Sequence, residues 1–243
     1  MQSLVRAQPA AKSPIRRFSL WLLALLAICA TVISFQFDEP VRHAVIEARG
    51  KAWKKSDQFR FTSGVRKFGD WPWLMLAGGI GLGLSWKLKK REWVRILAAA
   101  MIASTLSGLL ANTSRVTTGR TRPRESPKIS QGFYGPWREG RLTVGDPAFN
   151  SFPSGHTATA FGFAGVIFFA RPWIGVGAIG LALLVAWSSI MMGSHHLSDV
   201  VVSICIALFV SWFTLRWAEK RGEAFGRAVW TKLKALKERT RRR

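Results

Sequence analysis

The chain has 243 residues, 49% of them hydrophobic, with a formal net charge of +23 from 36 Lys and Arg against 13 Asp and Glu. In a soluble protein that charge points first to nucleic acid, but long apolar runs and a positive mean hydropathy move the reading to a bilayer, whose anionic head groups attract basic loops and tails. Cys29 and Cys205 are the two cysteines and each lies in an apolar run, which argues against a disulfide framework or a thiolate metal site.

Charge-free stretches of roughly the 17–25 residues that a bilayer-spanning helix needs occur six times, at residues 18–37, 71–86, 96–114, 154–170, 172–194 and 197–215. The second and last are short and borrow flanking residues such as Lys87 or Arg216, whose aliphatic stems can snorkel. Trp21, Trp71, Trp73, Trp86, Trp173, Trp212 and Trp217 fall near the ends of these stretches, where amphipathic rings favour the membrane interface. The fold class expected is therefore an all-α polytopic membrane protein, a bundle of six transmembrane helices.

Six spans put both termini on one side, and Lys and Arg are more numerous in the segments on that side, including the compact 87–95 loop, than in residues 38–70 and 115–146. Both termini are expected in the cytoplasm, with a basic segment at 1–17, the six-span domain at 18–217 and a basic tail at 218–243. A cleaved signal peptide is the alternative for 18–37, but the stretch is long enough to span and no small-residue cleavage site follows it. In the tail, Phe225, Val229, Leu233 and Leu236 recur at helical spacing among Lys and Arg, as in an amphipathic helix on the inner leaflet; a solvated basic tail fits equally well.

Three segments are too polar for this setting, and all three fall at the same end of the expected bundle: residues 115–123, 152–156 and 193–199. They hold three of the four histidines. Arg115, Arg120 and Arg122 offer planar, permanently charged donor forks suited to phosphate oxygens, although head-group anchoring would also explain them. Ser154 stands where a helix N-cap belongs, and Gly155 and His156 then present free N–H groups at the positive end of a helix dipole, a ready anion site. His195 and Asp199 are four apart, so on a helix the carboxylate can take the Nδ1 proton and leave Nε2 free to attack; a satisfied structural pair is the plainer reading. Together these groups form a phosphoryl-transfer constellation in which arginines stand in for a metal cation. No metal and no cofactor is expected.

These residues resemble the type 2 phosphatidic acid phosphatase family, membrane lipid phosphatases that share their site with vanadium haloperoxidases. The family pattern is Lys, six residues, Arg-Pro; then Pro-Ser-Gly-His; then Ser-Arg, five residues, His, three residues, Asp. The first motif matches in spacing, with Arg115 at the Lys position and Arg122-Pro123 closing it, and the second is complete as Pro153-Ser154-Gly155-His156. In the third, Ser188, His195 and Asp199 fall in place while Ser189 stands where the family has Arg. The resemblance covers residues 96–215 and implies a phosphohistidine on His195, held by Asp199, with His156 protonating the leaving oxygen. It also implies that Arg115, Arg122, Ser154 and the Gly155 amide hold the phosphoryl oxygens, with Arg120 as the candidate to replace the missing arginine.

The expected partners are a phosphorylated membrane lipid and the bilayer itself, and no nucleic acid. The expected location is the cytoplasmic membrane, with the site on the periplasmic or extracellular side. Loss of the arginine at position 189 favours a second reading, a silent member that binds lipid phosphates without turnover. A membrane-tethered nucleic-acid binder has only charge behind it.

Overall fold

A computed structural model describes the backbone of residues 14–126 and 128–241, and side chains over 22–126 and 128–222. The chain is an α-helical membrane protein with eight helices among the described residues: α1 (Pro14–Gln36), α2 (Asp38–Arg49), α3 (Asp57–Lys67), α4 (Trp71–Lys87), α5 (Arg91–Thr118), α6 (Gly155–Ala170), α7 (Pro172–Met191) and α8 (Leu197–Arg241). Helices α1, α4, α5, α6, α7 and α8 cover the six expected apolar stretches. By length and hydropathy, however, only α5, α7 and the Leu197–Gly222 part of α8 are, among the described residues, sufficient to cross a membrane alone, and a fourth span arises if Leu22–Gln36 of α1 and α2, bent by 56°, count as one. With 17 and 16 residues, α4 and α6 are too short for that test, so a count of six spans is not established. The fifth stretch also ends earlier than expected, because α7 stops at Met191 and Gly193 turns the chain with φ 59°.

Helix α6 is the centre of the bundle and packs on α5, α7 and α8. Its small residues permit this: a Cβ on Gly162 would stand 2.8 Å from Ser107 Oγ and 2.9 Å from the Ala103 carbonyl, and one on Gly165 would stand 2.7 Å from Ser211 Oγ. Close backbone approach then allows hydrogen bonds between helices, with Ser104 Oγ donating to the Thr159 carbonyl at 3.0 Å and Ser211 Oγ donating to the Gly162 carbonyl at 2.9 Å. Apolar clusters around Ile96, Ala100, Ala103 and Val166, and around Phe161, Ala164, Val185 and Val200, fill the remaining interior. Large apolar side chains such as Leu23, Ile80, Leu109, Trp173 and Phe209 point outward. Small and hydroxyl-bearing residues inside with large apolar ones outside is the arrangement that lipid, as solvent, favours.

Successive antiparallel helices bring the C-termini of α5 and α7 to the same end as the N-termini of α4, α6 and α8. Helix α8 continues without interruption through the expected tail helix to Arg241; the side chains that would define its faces lie outside the described residues. Between α5 and α6, the 119–154 connection carries a two-residue hairpin of β1 (Trp137–Arg138) and β2 (Arg141–Leu142).

Because the α5–α6 approach leaves no room for a methyl group at Gly162, Gly162→Ala should destabilise the protein by about 1–3 kcal/mol, as overpacking does. Gly79→Ala on α4, where nothing lies within 4 Å, should be neutral or slightly stabilising. Thermal unfolding of both variants in the same detergent checks this; equal shifts would mean that the approach of α5 and α6 is looser than described.

Candidate active site

The exit from α5 is set by Gly119, a left-handed C-cap with φ 52° where a Cβ would fall 1.9 Å from the Gly135 carbonyl. The chain then runs extended through Arg120, Thr121 and Arg122. The Thr121 N–H donates to the Gly132 carbonyl, the Arg122 N–H to the Ala148 carbonyl, and the Arg120 carbonyl accepts from Ser151 N. The first and second polar segments are thereby sewn together. The third joins through the Ser154 N–H, which donates to the Asp199 carbonyl at 3.3 Å, and the Arg124 N–H, which donates to the Gly193 carbonyl at 3.1 Å.

Ser154 caps α6 as expected, its Oγ accepting from Thr157 N, and it is fully buried. Arg115 lies flat on the first turn of α6: its Nη2 is 2.7 Å from the position a Gly155 Cβ would take, and its Nε donates to the Pro153 carbonyl at 3.0 Å. Nη2 itself is buried with no hydrogen-bond partner. A guanidinium at the positive end of a helix dipole is an arrangement that only an anion can balance. Arg122 donates weakly to the Asn150 carbonyl, and burial together with Arg124, Arg115 and Arg66 lowers its pKa to about 10.

His195 is 1% exposed. Its Nδ1 donates to the Ser151 carbonyl at 2.7 Å, whereas Asp199 Oδ2 stands 3.8 Å away, beyond hydrogen-bonding distance. The expected His195–Asp199 hydrogen bond is therefore replaced by one to the backbone, because α8 begins only at Leu197 and His195 lies outside it. The consequence is the same: the Nδ1 proton is held and Nε2 carries the lone pair. Burial, reinforced by Arg115 and Arg122, holds the His195 pKa well below the ordinary 6.5, so the ring is neutral near pH 7. His196 points elsewhere, its Nε2 donating to the Thr121 carbonyl at 3.1 Å.

Asp199 accepts from the His196 N–H at 2.7 Å, capping α8, from Ser151 Oγ at 2.5 Å, and from Arg120 Nη1 at 2.5 Å. Arg120 also donates through Nη1 to Ser198 Oγ and through Nη2 to Asp38 Oδ2 at 2.6 Å, and the rings of Phe35, Phe133 and Phe152 surround its Cζ at 5.1, 4.7 and 5.8 Å. The expectation that Arg120 joins the phosphate donors is corrected by these contacts. Its guanidinium is spent on two carboxylates behind the site and acts as a positioning group for Asp199.

Sequence reasoning missed four residues. Asp70, at the start of α4, sits 2.8 Å from His156 Nε2 and fixes that ring. Asp38 and Ser151 complete the network around Asp199, and Arg66 of α3 donates to Ser194 Oγ at 3.2 Å. Asp70 had a local signal, as the lone acid ahead of the second apolar stretch; the others had none. A cavity of about 940 Å³ opens beside His195 and His196, walled by Arg42, Arg49 and Arg124 and by Trp53 and Ile190. Among the described residues, no group of three or more His, Cys, Asp or Glu side chains is arranged to hold a metal ion.

The PAP2 superfamily model matches residues 93–223, more than half of the chain, and the chain belongs to that superfamily. A lipid A 1-phosphatase of Rhizobium johnstonii is 33% identical over 109 residues, 45% of this chain and 41% of that protein. One from Porphyromonas gingivalis is 26% identical over 132 residues, 53% of this chain and 25% of that protein. The chain thus aligns with less than half the length of these curated relatives. Two crystal structures share the fold at 20% identity: LpxE of Aquifex aeolicus, with a TM-score of 0.51 over 74% of this chain and 95% of that one, and a transmembrane PAP2-type phosphatidylglycerolphosphate phosphatase of Bacillus subtilis, with 0.52 over 84% and 96%.

Replacing Arg120 by Met leaves Asp38 and Asp199 buried and uncompensated, which should cost roughly 3–5 kcal/mol of stability. The expected result is a large fall in thermal midpoint in detergent. An unchanged midpoint with a raised KM would return Arg120 to the phosphate-binding set.

Proposed function

We propose that the chain is a membrane phosphatase that hydrolyses a lipid-linked phosphate monoester or diphosphate through a phosphohistidine intermediate. The observation that carries this reading is a buried His195 whose Nδ1 proton is given to the Ser151 carbonyl, with Arg115 and Arg122 acting on it and Arg115 Nη2 buried without a hydrogen-bond partner among the described residues. In the first step Nε2 of His195 attacks phosphorus while the bond to the lipid oxygen breaks. His156, protonated on both ring nitrogens when the anionic substrate is bound, gives that oxygen the proton on Nδ1, the nitrogen that Asp70 does not hold, and is left neutral with Nε2–H still donated to Asp70. In the second step His156 takes a proton from water, whose oxygen attacks phosphorus, and the N–P bond breaks to release phosphate. Arg115, Arg122 and the first turn of α6 at Ser154 and Gly155 stabilise the charge on the phosphoryl oxygens, so that no metal is required. Asp199 acts on His195 through Ser151, whose hydroxyl it accepts.

The named relatives are lipid A 1-phosphatases, and the cavity beside His195, lined by apolar residues such as Trp53 and Ile190 and by basic ones such as Arg42, Arg49 and Arg124, suits a phosphorylated amphiphile. From the distribution of Lys and Arg we place the site at the outer face of the cytoplasmic membrane. A silent, phosphate-binding member is the alternative that Ser189 favours, and turnover decides between the two.

Purified protein should release phosphate from a panel of lipid phosphates in the presence of a chelator. His195→Ala should lower that rate by about a thousandfold or more, the scale for losing a nucleophile. His196→Ala, whose Nε2 is committed to the Thr121 carbonyl, should retain a substantial part of it. Equal loss from both would undermine the assignment of the nucleophile, and no release from any lipid by the wild type would favour the silent member.

A further inference from the structure

Position 189, where the resemblance leads one to expect an arginine, is a fully buried serine whose Oγ donates to the Val185 carbonyl within its own helix. Arg120 cannot substitute for it, being enclosed by Asp38 and Asp199. Another guanidinium comes close from a different direction. Helix α3, N-capped by Ser56, packs against α7, and the turn that follows it is wedged between α6 and α7 at Gly69. A Cβ on Gly69 would stand 2.5 Å from Val185 Cγ1 and 3.0 Å from the His156 carbonyl, and the Gly69 carbonyl accepts from Thr159 Oγ1 at 2.5 Å.

That wedge fixes the last turn of α3 and with it Arg66. Nη1 donates to Ser194 Oγ at 3.2 Å, and the backbone N–H of the same serine donates to the Ser189 carbonyl at 3.2 Å, so a single residue separates the guanidinium from position 189. Its Nε is buried and has no hydrogen-bond partner. Burial lowers the Arg66 pKa, Asp70 raises it and Arg124 lowers it, while Arg66 itself depresses the pKa of Arg122. The nearby carboxylates are already engaged: Asp70 with His156, Glu125 with Arg124, and Asp38 and Asp199 with Arg120. Among the described residues, Arg66, Arg115 and Arg122 have no carboxylate within ion-pair distance. Arg115 and Arg122 act on His195, and Arg66 acts on His156 and on Arg122, so the three cations share one end of the bundle with both imidazoles and call for a ligand with more than one negative charge.

We propose that Arg66 supplies, from α3, the phosphoryl-binding guanidinium that position 189 lacks. The inference rests on the phosphatase reading above and assigns a binding residue that lies outside all three motifs. It also explains how a serine at 189 is compatible with activity: the two side chains would compete for one place, and α3 fills it.

The test uses the full chain in detergent, with phosphate release from a lipid phosphate and equilibrium binding of orthovanadate, a phosphate mimic, as separate readouts. Arg66→Ala should slow release on the order of a hundred- to a thousandfold, the scale for losing one donor to developing oxyanion charge. It should weaken orthovanadate binding by about tenfold or more, as expected for a charge-assisted contact. Arg66→Lys should recover only part of both, because an ammonium cannot offer the paired donors of a guanidinium. Ser189→Arg should bring no gain in the wild type, yet restore part of the rate and of the orthovanadate affinity in the Arg66→Ala background. Arg66→Gln, with its thermal midpoint measured alongside, covers the case in which the alanine variant does not fold. Unchanged orthovanadate affinity in folded Arg66 variants overturns the proposal, whether or not the wild type turns over. Release that survives His195→Ala, with orthovanadate binding still dependent on Arg66, would instead overturn the catalytic reading and leave this inference standing.

Discussion

A buried guanidinium held between two carboxylates organises this molecule. Arg120 reaches from the exit of α5 to Asp38 at the start of α2 and to Asp199 at the start of α8, under a lid of three phenylalanine rings. Placing three charges where almost no water reaches is costly unless hydrogen bonds compensate, and here the Ser198 and Ser151 hydroxyls and the Ser198 and His196 amides donate to the two carboxylates beside the guanidinium. The network therefore defines where α8 begins. It thereby also defines where His195, just ahead of that helix, must lie.

From that anchor the chemistry follows by exclusion of charge. With Asp199 committed to Arg120, the imidazole of His195 is left to a neutral acceptor, the Ser151 carbonyl, and stays uncharged although arginines surround it. An ion pair with a carboxylate would have favoured the imidazolium, which is no nucleophile. In the proposed mechanism, separating the two keeps the lone pair on Nε2 available, and the positive charge of Arg66, Arg115 and Arg122 is left for an incoming phosphoryl group. The same logic explains why the site needs the short, glycine-rich α6 at its centre: only a helix without bulk at Gly155 lets Arg115 lie against its first turn.

Much of this was legible in the sequence. Apolar runs located six of the eight helices because lipid imposes a length and a composition on any segment that faces it. Ser154 read correctly as a cap from the local Pro-Ser-Gly pattern, and the three polar segments do meet at one end. The spacing of His195 and Asp199 misled, since four residues imply a shared face only where both are helical, and the helix starts between them. Arg120 misled for a related reason: a guanidinium near a motif looks like a phosphate ligand until its partners are known, and Asp38 is 82 residues away. Arg66 and Asp70 could not be assigned from periodicity, because their roles come from the way α3 and the start of α4 are wedged against α6 and α7. The count of six spans is the other point, and it stays an expectation: α4 and α6, with 17 and 16 residues, fall just under the 18 residues of the length test that α5, α7 and α8 pass.

The proposed mechanism requires covalent attachment of the phosphoryl group to Nε2 of His195. Rapid quenching of the enzyme into alkali during turnover of a lipid phosphate labelled with radioactive phosphorus, followed by peptide mapping, measures this directly. The predicted result is a label that is stable in alkali and lost in acid, as an N–P bond is, located on the peptide containing His195 and absent from His195→Ala. A label on His196, on a serine or on a carboxylate, or full turnover by His195→Ala, would contradict it.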